Sequence, residues 1–203
     1  MVVVTALRSA GRGRGGGVRV ELDGTPWRTL PLEVVVRTGL AQGQVLERAQ
    51  LRVLRRELRR HEALQASART LRQRDLSTRE LEERLRRRPD VAPADREAAV
   101  AALRSAGLVD DARFARSRAR ALAGRGYGDD AIRADLERRG IEPETISAAV
   151  EELEPERDRA GAIVARRGGG LATARYLARR GFHEDVVEAA MAAGGTDAPR
   201  ALR

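Results

Sequence analysis

The sequence predicts a mainly α protein: three tandem three-helix repeats in an elongated, curved array, preceded by a short β-hairpin extension. Three observations carry this reading. From about Gln44 onward the apolar spacing is helical throughout. The stretch Ala131 to Ile141 recurs 41 residues later as Ala172 to Phe182, with Leu136 matching Leu177 and Arg138-Arg139-Gly140 matching Arg179-Arg180-Gly181. One segment alone, Val18 to Leu30, alternates apolar and polar residues around a turn dipeptide, Asp23-Gly24.

Taken in order, residues 1–17 end in a run of glycine and arginine without apolar periodicity and are expected to form a flexible arm. Residues 18–43 hold the hairpin and a short helix that opens at Pro31-Leu32-Glu33 and stops near Gly39. Residues 44–108 form the first repeat, whose long opening helix is expected to turn Val45, Ala49, Val53 and Leu54 inward. That repeat is the loosest copy. Leu81 and Leu85 precede Ile132 and Leu136 by 51 residues, while Val91, Val100 and Leu103 precede Ile141, Val150 and Leu153 by 50.

Residues 109–154 form the second repeat. Asp110-Asp111 caps its first helix, the second runs from Asp129 to a left-handed stop at Gly140, and Pro143 opens a third with Ile146, Ala149, Val150 and Leu153 on one stripe. Residues 155–193 form the third repeat, and 194–203 are expected to be a disordered tail. Each unit is too small to bury its apolar face without neighbours.

Composition narrows the chemistry. All 39 basic residues among the 203 are arginine, the net charge is +9, and there is no cysteine. A thiolate metal site, a disulfide scaffold and a cysteine nucleophile are therefore excluded. With no lysine, Gly168-Gly169-Gly170 cannot serve as a P-loop. The two histidines, His61 and His183, sit on separate units without a ligand constellation. Paired carboxylates at Asp110-Asp111 and Asp129-Asp130 stand where helices begin and read as caps. No catalytic residue, no metal and no cofactor is expected. The apolar opening run Met1 to Leu7 is too short for a signal peptide or a membrane span, so a cytoplasmic protein without membrane contact is expected.

Charge is segregated by element. Residues 112–127 carry a net +5, residues 141–158 a net −6 and residues 159–181 a net +6. A helix-turn-helix reader would place its last helix in the major groove, where Glu142, Glu144, Glu151 and Glu152 would be repelled by phosphates. Base-specific reading is thus disfavoured, and sequence-blind contact with phosphates or an acidic protein is favoured. With five aromatic residues scattered along the chain, stacking on bases cannot be the main mode, although Tyr127 and Tyr176, each near arginines, are candidate contacts.

Asp110-Asp111-Ala112-Arg113-Phe114-Ala115, followed by Ile132-Arg133, Leu136 and Arg139-Gly140-Ile141, resembles the signature of the RecX family of bacterial recombination regulators. The resemblance runs over about Gln44 to Met191, and Val18 to Gly24 with Gly39-Leu40 and Gly43 is similar to the extension of the longer members. The chain departs from the family pattern at Arg118, where tyrosine is frequent, and at Asp129-Asp130. The resemblance implies a non-enzymatic monomer that binds the RecA filament and single- and double-stranded DNA through phosphates, inhibits filament extension, strand exchange and ATP hydrolysis, and so modulates DNA repair and the SOS response. The alternative is a sequence-independent nucleic-acid-binding protein acting without RecA. Candidate RecA- or DNA-binding residues are Arg113, Arg116, Arg120, Arg125, Arg133, Arg138, Arg139, Arg166, Arg167, Arg175, Arg179 and Arg180. Motif residues expected to be mostly structural are Asp110, Asp111, Phe114, Ala115, Ile132, Leu136 and Gly140.

Overall fold

The computed structural model describes residues 1–11, 17–71 and 74–195. Its strands are β1 (Val2–Ser9), β2 (Gly17–Leu22), β3 (Thr25–Pro31) and β4 (Val45–Leu46). Its helices are α1 (Leu32–Thr38), α2 (Arg48–Leu71), α3 (Thr78–Arg86), α4 (Pro93–Ser105), α5 (Asp111–Ala123), α6 (Asp129–Arg138), α7 (Pro143–Glu151), α8 (Glu156–Arg167), α9 (Leu171–Arg179) and α10 (Glu184–Gly195). The mainly helical fold is thus as expected, and the expected N-terminal hairpin is part of a four-stranded sheet. Two compact units result, residues 1–74 with 82–108 and residues 75–81 with 109–203. No helix among the described residues is long and apolar enough to cross a membrane.

In the first unit the expected hairpin is β2–β3, turning at Asp23 and Gly24 with φ of 50° and 78°. Positive φ at both central residues matches the right-handed twist of the flanking strands. The expectation that residues 1–17 are a flexible arm is corrected for Val2–Ser9, which form β1. A lone hairpin is marginal, and β1 relieves this by pairing with β2 on one side and β4 on the other, giving the order β3-β2-β1-β4. The Asp23 carboxylate accepts the Val3 N–H at 2.7 Å and ties the turn to β1. Gly17 opens β2, and residues 12–16 of the expected arm lie outside the described residues. Val4, Val20 and Leu30 are buried against Val34 and Val35 of α1 and Leu54 and Leu58 of α2.

A second correction concerns the start of α2. Val45 is in β4 opposite Val3, and Ala49 and Val53 are exposed, the latter by 54%. The helix begins only after Glu47, whose N–H bonds the Gln50 Oε1 at 2.8 Å, so the inward row is Leu51, Leu54 and Leu58. In α4 the carboxylate of Asp95, 5% exposed, meets Arg56 of α2 at 3.0 Å.

The second unit repeats one local design. Leu136 and Leu177 are both fully buried, Gly140 and Gly181 follow their helices at φ of 73° and 72°, and Ile141 and Phe182 turn back into the core. Ile146 with Ala149, and Val187 with Ala190, are buried at the same 41-residue offset. At both glycines the chain must enter the left-handed region, which a side chain disfavours. The expected tail is shortened by α10, which continues to Gly195, while residues 196–203 lie outside the described residues.

Asp110 caps α5 as expected, its carboxylate accepting the Arg113 N–H at 2.9 Å, and this bond holds its pKa below the ordinary carboxylate value. Replacing a capping carboxylate leaves a helical N–H unsatisfied. Asp110→Ala should cost about 1 kcal/mol, read as a lower urea midpoint at unchanged slope.

The other expected acidic cap is corrected. Gly128 occupies the N-cap of α6, and the Asp129 carboxylate instead meets Arg159.

Candidate binding surface

The arginines of the second unit fall into groups distinguished by their partners. Asp135 on α6 accepts two bonds from Arg118 on α5, at 2.8 and 3.1 Å, and one from Arg139 at 2.9 Å. Arg139 also reaches Glu80, and its carbonyl accepts the Ser77 hydroxyl at 2.7 Å. The Arg118 bonds foremost, then Arg139, hold the Asp135 carboxyl far below the usual carboxylate range. Charge-assisted bonds of this kind are the strong ones, so Arg118 and Arg139 are committed to holding α5, α6 and the segment Ser77 to Glu80 together. Arg159 is likewise internal. Only 9% of its side chain is exposed, and it pairs with Asp129 and bonds the carbonyls of Tyr127 and Glu154 at 2.8 and 2.9 Å.

Others are engaged at the surface. Arg120 and Arg116 share Glu152 of α7 at 2.9 and 4.0 Å, Arg113 lies 3.9 Å from Asp75, and Arg133 donates to the Ser147 hydroxyl at 3.3 Å. Arg138 touches Asp135 at 3.6 Å but is 73% exposed. Such exposed pairs contribute little and exchange readily for an external anion. The basic α5 and the acidic α7 therefore neutralise one another in part.

Arg166, Arg175 and Arg179 on α8 and α9 and Arg125 after α5 are exposed, and the Arg166 side chain donates to the Ala162 carbonyl at 3.2 Å. Between these elements runs a stacked column. The Arg167 guanidinium lies 4.2 Å from the Tyr176 ring, and Arg180 lies 5.1 Å from Tyr176 and 4.5 Å from Tyr127. Arg180 also donates to the Arg125 carbonyl at 3.2 Å. Stacking fixes each guanidinium plane and leaves edge N–H groups to meet phosphate or carboxylate oxygens, so less side-chain entropy is lost on binding. An open cleft of about 350 Å³, bordered by Arg120, Gly126, Glu152, Arg159 and Arg166, adjoins this face.

The candidate arginines are thus not one surface. The structure brings Arg125, Arg166, Arg167, Arg175, Arg179 and Arg180 onto α8, α9 and the end of α5, leaves Arg113, Arg116 and Arg120 beside acids, and commits Arg139 internally. Of the motif residues, Phe114, Ala115, Ile132 and Leu136 lie in the core, Gly140 follows α6 in the left-handed region, and the Asp111 carboxylate accepts the Thr78 N–H at 2.7 Å. Sequence reasoning marked both tyrosines but not their stacking, because the four members of the column are drawn from positions 127, 167, 176 and 180 with no local spacing to reveal it.

Residues 110–150 match the family model described as RecX, second three-helix domain. The chain is 47% identical over 58 residues to the regulatory protein RecX of Stenotrophomonas maltophilia (strain R551-3), covering 29% of this chain and 36% of that one. It is 44% identical over 77 residues to regulatory protein RecX of Xanthomonas oryzae pv. oryzae (strain MAFF 311018), covering 38% and 48%. The matches thus span about half or less of these relatives' length. A crystal structure of regulatory protein RecX superposes with a TM-score of 0.76 at 19% identity, covering 93% of this chain and 98% of that one. The structure of RecX from Lactobacillus salivarius gives 0.60 at 15% identity, covering 68% and 97%.

Proposed function

We propose that this chain, a RecX-family protein with the family's second three-helix domain at residues 110–150, is a non-enzymatic regulator that binds RecA and its filament on DNA. The observation that carries the reading is that match, which falls on the α5–α7 core and its Asp135 ion cluster. On this reading the chain inhibits filament extension, strand exchange and ATP hydrolysis, and acts as a cytoplasmic monomer without a cofactor. Its helices work as three repeats, residues 44–108, 109–154 and 155–193, each adding a modest contact so that avidity along the filament exceeds any single affinity. Arg125, Arg166, Arg175 and Arg179, with the stacked Arg167 and Arg180, form the contact face in the second unit.

The test is the DNA-dependent ATPase of RecA with the purified chain added well below the RecA concentration. Inhibition is expected at such ratios. The variant carrying Arg125→Glu, Arg166→Glu, Arg175→Glu and Arg179→Glu should need about tenfold more protein for the same inhibition, a loss of about 1.4 kcal/mol. No inhibition by the unmodified chain would sink the reading. Inhibition only once the chain saturates the DNA would favour the second reading, sequence-independent nucleic-acid binding without RecA, to which the +9 net charge lends weight.

A further inference from the structure

The excess of positive charge does not lie where the family motif lies. Residues 1–74 with 82–108 hold 21 arginines and 11 acids, a net charge of +10. Residues 75–81 with 109–203 hold 18 arginines and 19 acids, a net charge of −1. The whole imbalance of the chain therefore belongs to its first unit.

Within that unit it is concentrated on α2. Arg48, Arg52, Arg55 and Arg59 fall within about 60° of one another around the helix and span about 16 Å along it, at 100° and 1.5 Å per residue. Arg48, Arg52 and Arg55 are exposed, and their side chains make no hydrogen bond or ion pair among the described residues. Glu57, one turn on, is taken by Arg37 at 3.7 Å and Arg60 at 4.0 Å, and Arg56 is taken by Asp95. Arg59 joins Arg88 in holding the Asp90 carboxyl below its ordinary range, the Arg88 hydrogen bond being the main cause.

This row is unfavourable for the isolated helix. Like charges three and four residues apart repel, and Arg48 and Arg52 stand at the positive end of the helix dipole in a helix with no acid in its first turn. An ordinary solvated face is built differently in the same unit: on α3, Arg86 lies 2.7 Å from Glu83 and 3.5 Å from Glu82. Stability has been forgone along α2 in a way that a bound polyanion would restore.

We propose that the Arg48–Arg52–Arg55–Arg59 row of α2 is a phosphodiester-binding surface of the first unit, which grips the backbone of DNA or RNA without reading bases and without RecA. Each step along the row is about one helical turn, so the row lays four guanidiniums over about 16 Å of a backbone that carries one charge per about 1.7 Å of duplex axis. A protein partner would need an apolar anchor at its centre. The exposed large apolar side chain of α2, Val53, lies more than about 90° round the helix from the row. No aromatic residue stands in the row to stack on bases, so contact stays with phosphates. This inference goes beyond the RecA reading and does not depend on it.

The experiment measures anisotropy of labelled single-stranded DNA, its duplex and the matching RNA with the full chain, from about 50 to 200 mM salt. Arg48→Gln, Arg52→Gln and Arg55→Gln combined should reduce the slope of log affinity against log salt by about 2 to 3 for duplex and about 2 for single strands. The triple Arg→Lys variant should retain the slope, since charge and not fork geometry is required. The second-unit variant Arg125→Glu, Arg166→Glu, Arg175→Glu, Arg179→Glu should keep most of the slope. An unchanged slope in the glutamine variant overturns the proposal, as does loss of binding to RecA alone with nucleic-acid binding intact, which would make the row a site for an acidic protein. Because RecA is absent from the nucleic-acid titrations, their outcome is separate from that of the ATPase test.

Discussion

Gly128→Ala should destabilise the second unit by about 3 kcal/mol, at the upper end of what overpacking causes. A methyl at this position would stand 2.2 Å from the Gly181 carbonyl oxygen and 2.4 Å from the Phe182 Cα, all backbone atoms that no rotamer change can move aside. The Gly128 N–H donates to the Arg180 carbonyl at 2.9 Å and the Asp130 N–H to that of Gly181 at 3.2 Å, so the start of α6 is docked on the end of α9. Separating the two helices to admit the methyl breaks both bonds and leaves their groups to find water. Thermal or urea unfolding of the full chain reads the loss. A variant within about 0.5 kcal/mol of the parent would mean that this docking is not tight. The substitution leaves α2 untouched, so its salt slope on DNA should be unaltered at temperatures where the chain is folded.

The second large effect is electrostatic. Asp135→Asn should cost about 2 to 3 kcal/mol at pH 7, somewhat below the 3–5 kcal/mol of a fully buried pair. Asp135 is 14% exposed, and its partners Arg118 and Arg139 are 30% and 29% exposed. The arginine bonds depress the folded-state pKa of Asp135 well below its unfolded value near 3.9. A depressed carboxylate adds stability that is fully present above the unfolded pKa and is lost as pH falls through the folded one. The gap between parent and variant should therefore be widest at neutral pH and narrow progressively below about pH 4. A gap independent of pH would show that Asp135 acts by packing or neutral hydrogen bonding. Ionic strength should matter little, because the cluster is mostly shielded from solvent ions.

Much of the helical body was legible in the sequence because the information is local. Leu136 and Leu177, Gly140 and Gly181, and Ile146 and Val187 recur at one offset, and each pair has the same burial or the same left-handed backbone. Asp110 and Pro143 announced helix starts through capping chemistry that operates within four residues. The β1 strand was not legible. Val2 to Leu7 has no strict alternation, and its bulge between Val4 and Ala6 breaks what period there is, so only pairing with β2 and β4 makes it a strand. The start of α2 was misplaced for a related reason: Val45 fits a helical stripe as well as it fits β4, and long-range pairing decided the matter.

The candidate surface was legible in charge but not in partnership. Counting by element found basic α5 and acidic α7, yet only the packed structure shows that Glu152 takes up Arg116 and Arg120, that Asp135 binds Arg118 and Arg139, and that Arg159 is internal.

By itself, then, the sequence determined the 41-residue helical recurrence, the Asp110 cap and the glycine stops, the absence of cysteine and lysine, and the total charge, because each depends on composition or on local pattern. Tertiary structure alone decided which arginines are internal braces, which stack on Tyr127 and Tyr176, and which on α2 have no side-chain partner among the described residues. Coulomb and hydrogen-bond energies fall off over a few ångströms of space, and residues separated by dozens of positions become neighbours only when the chain has folded.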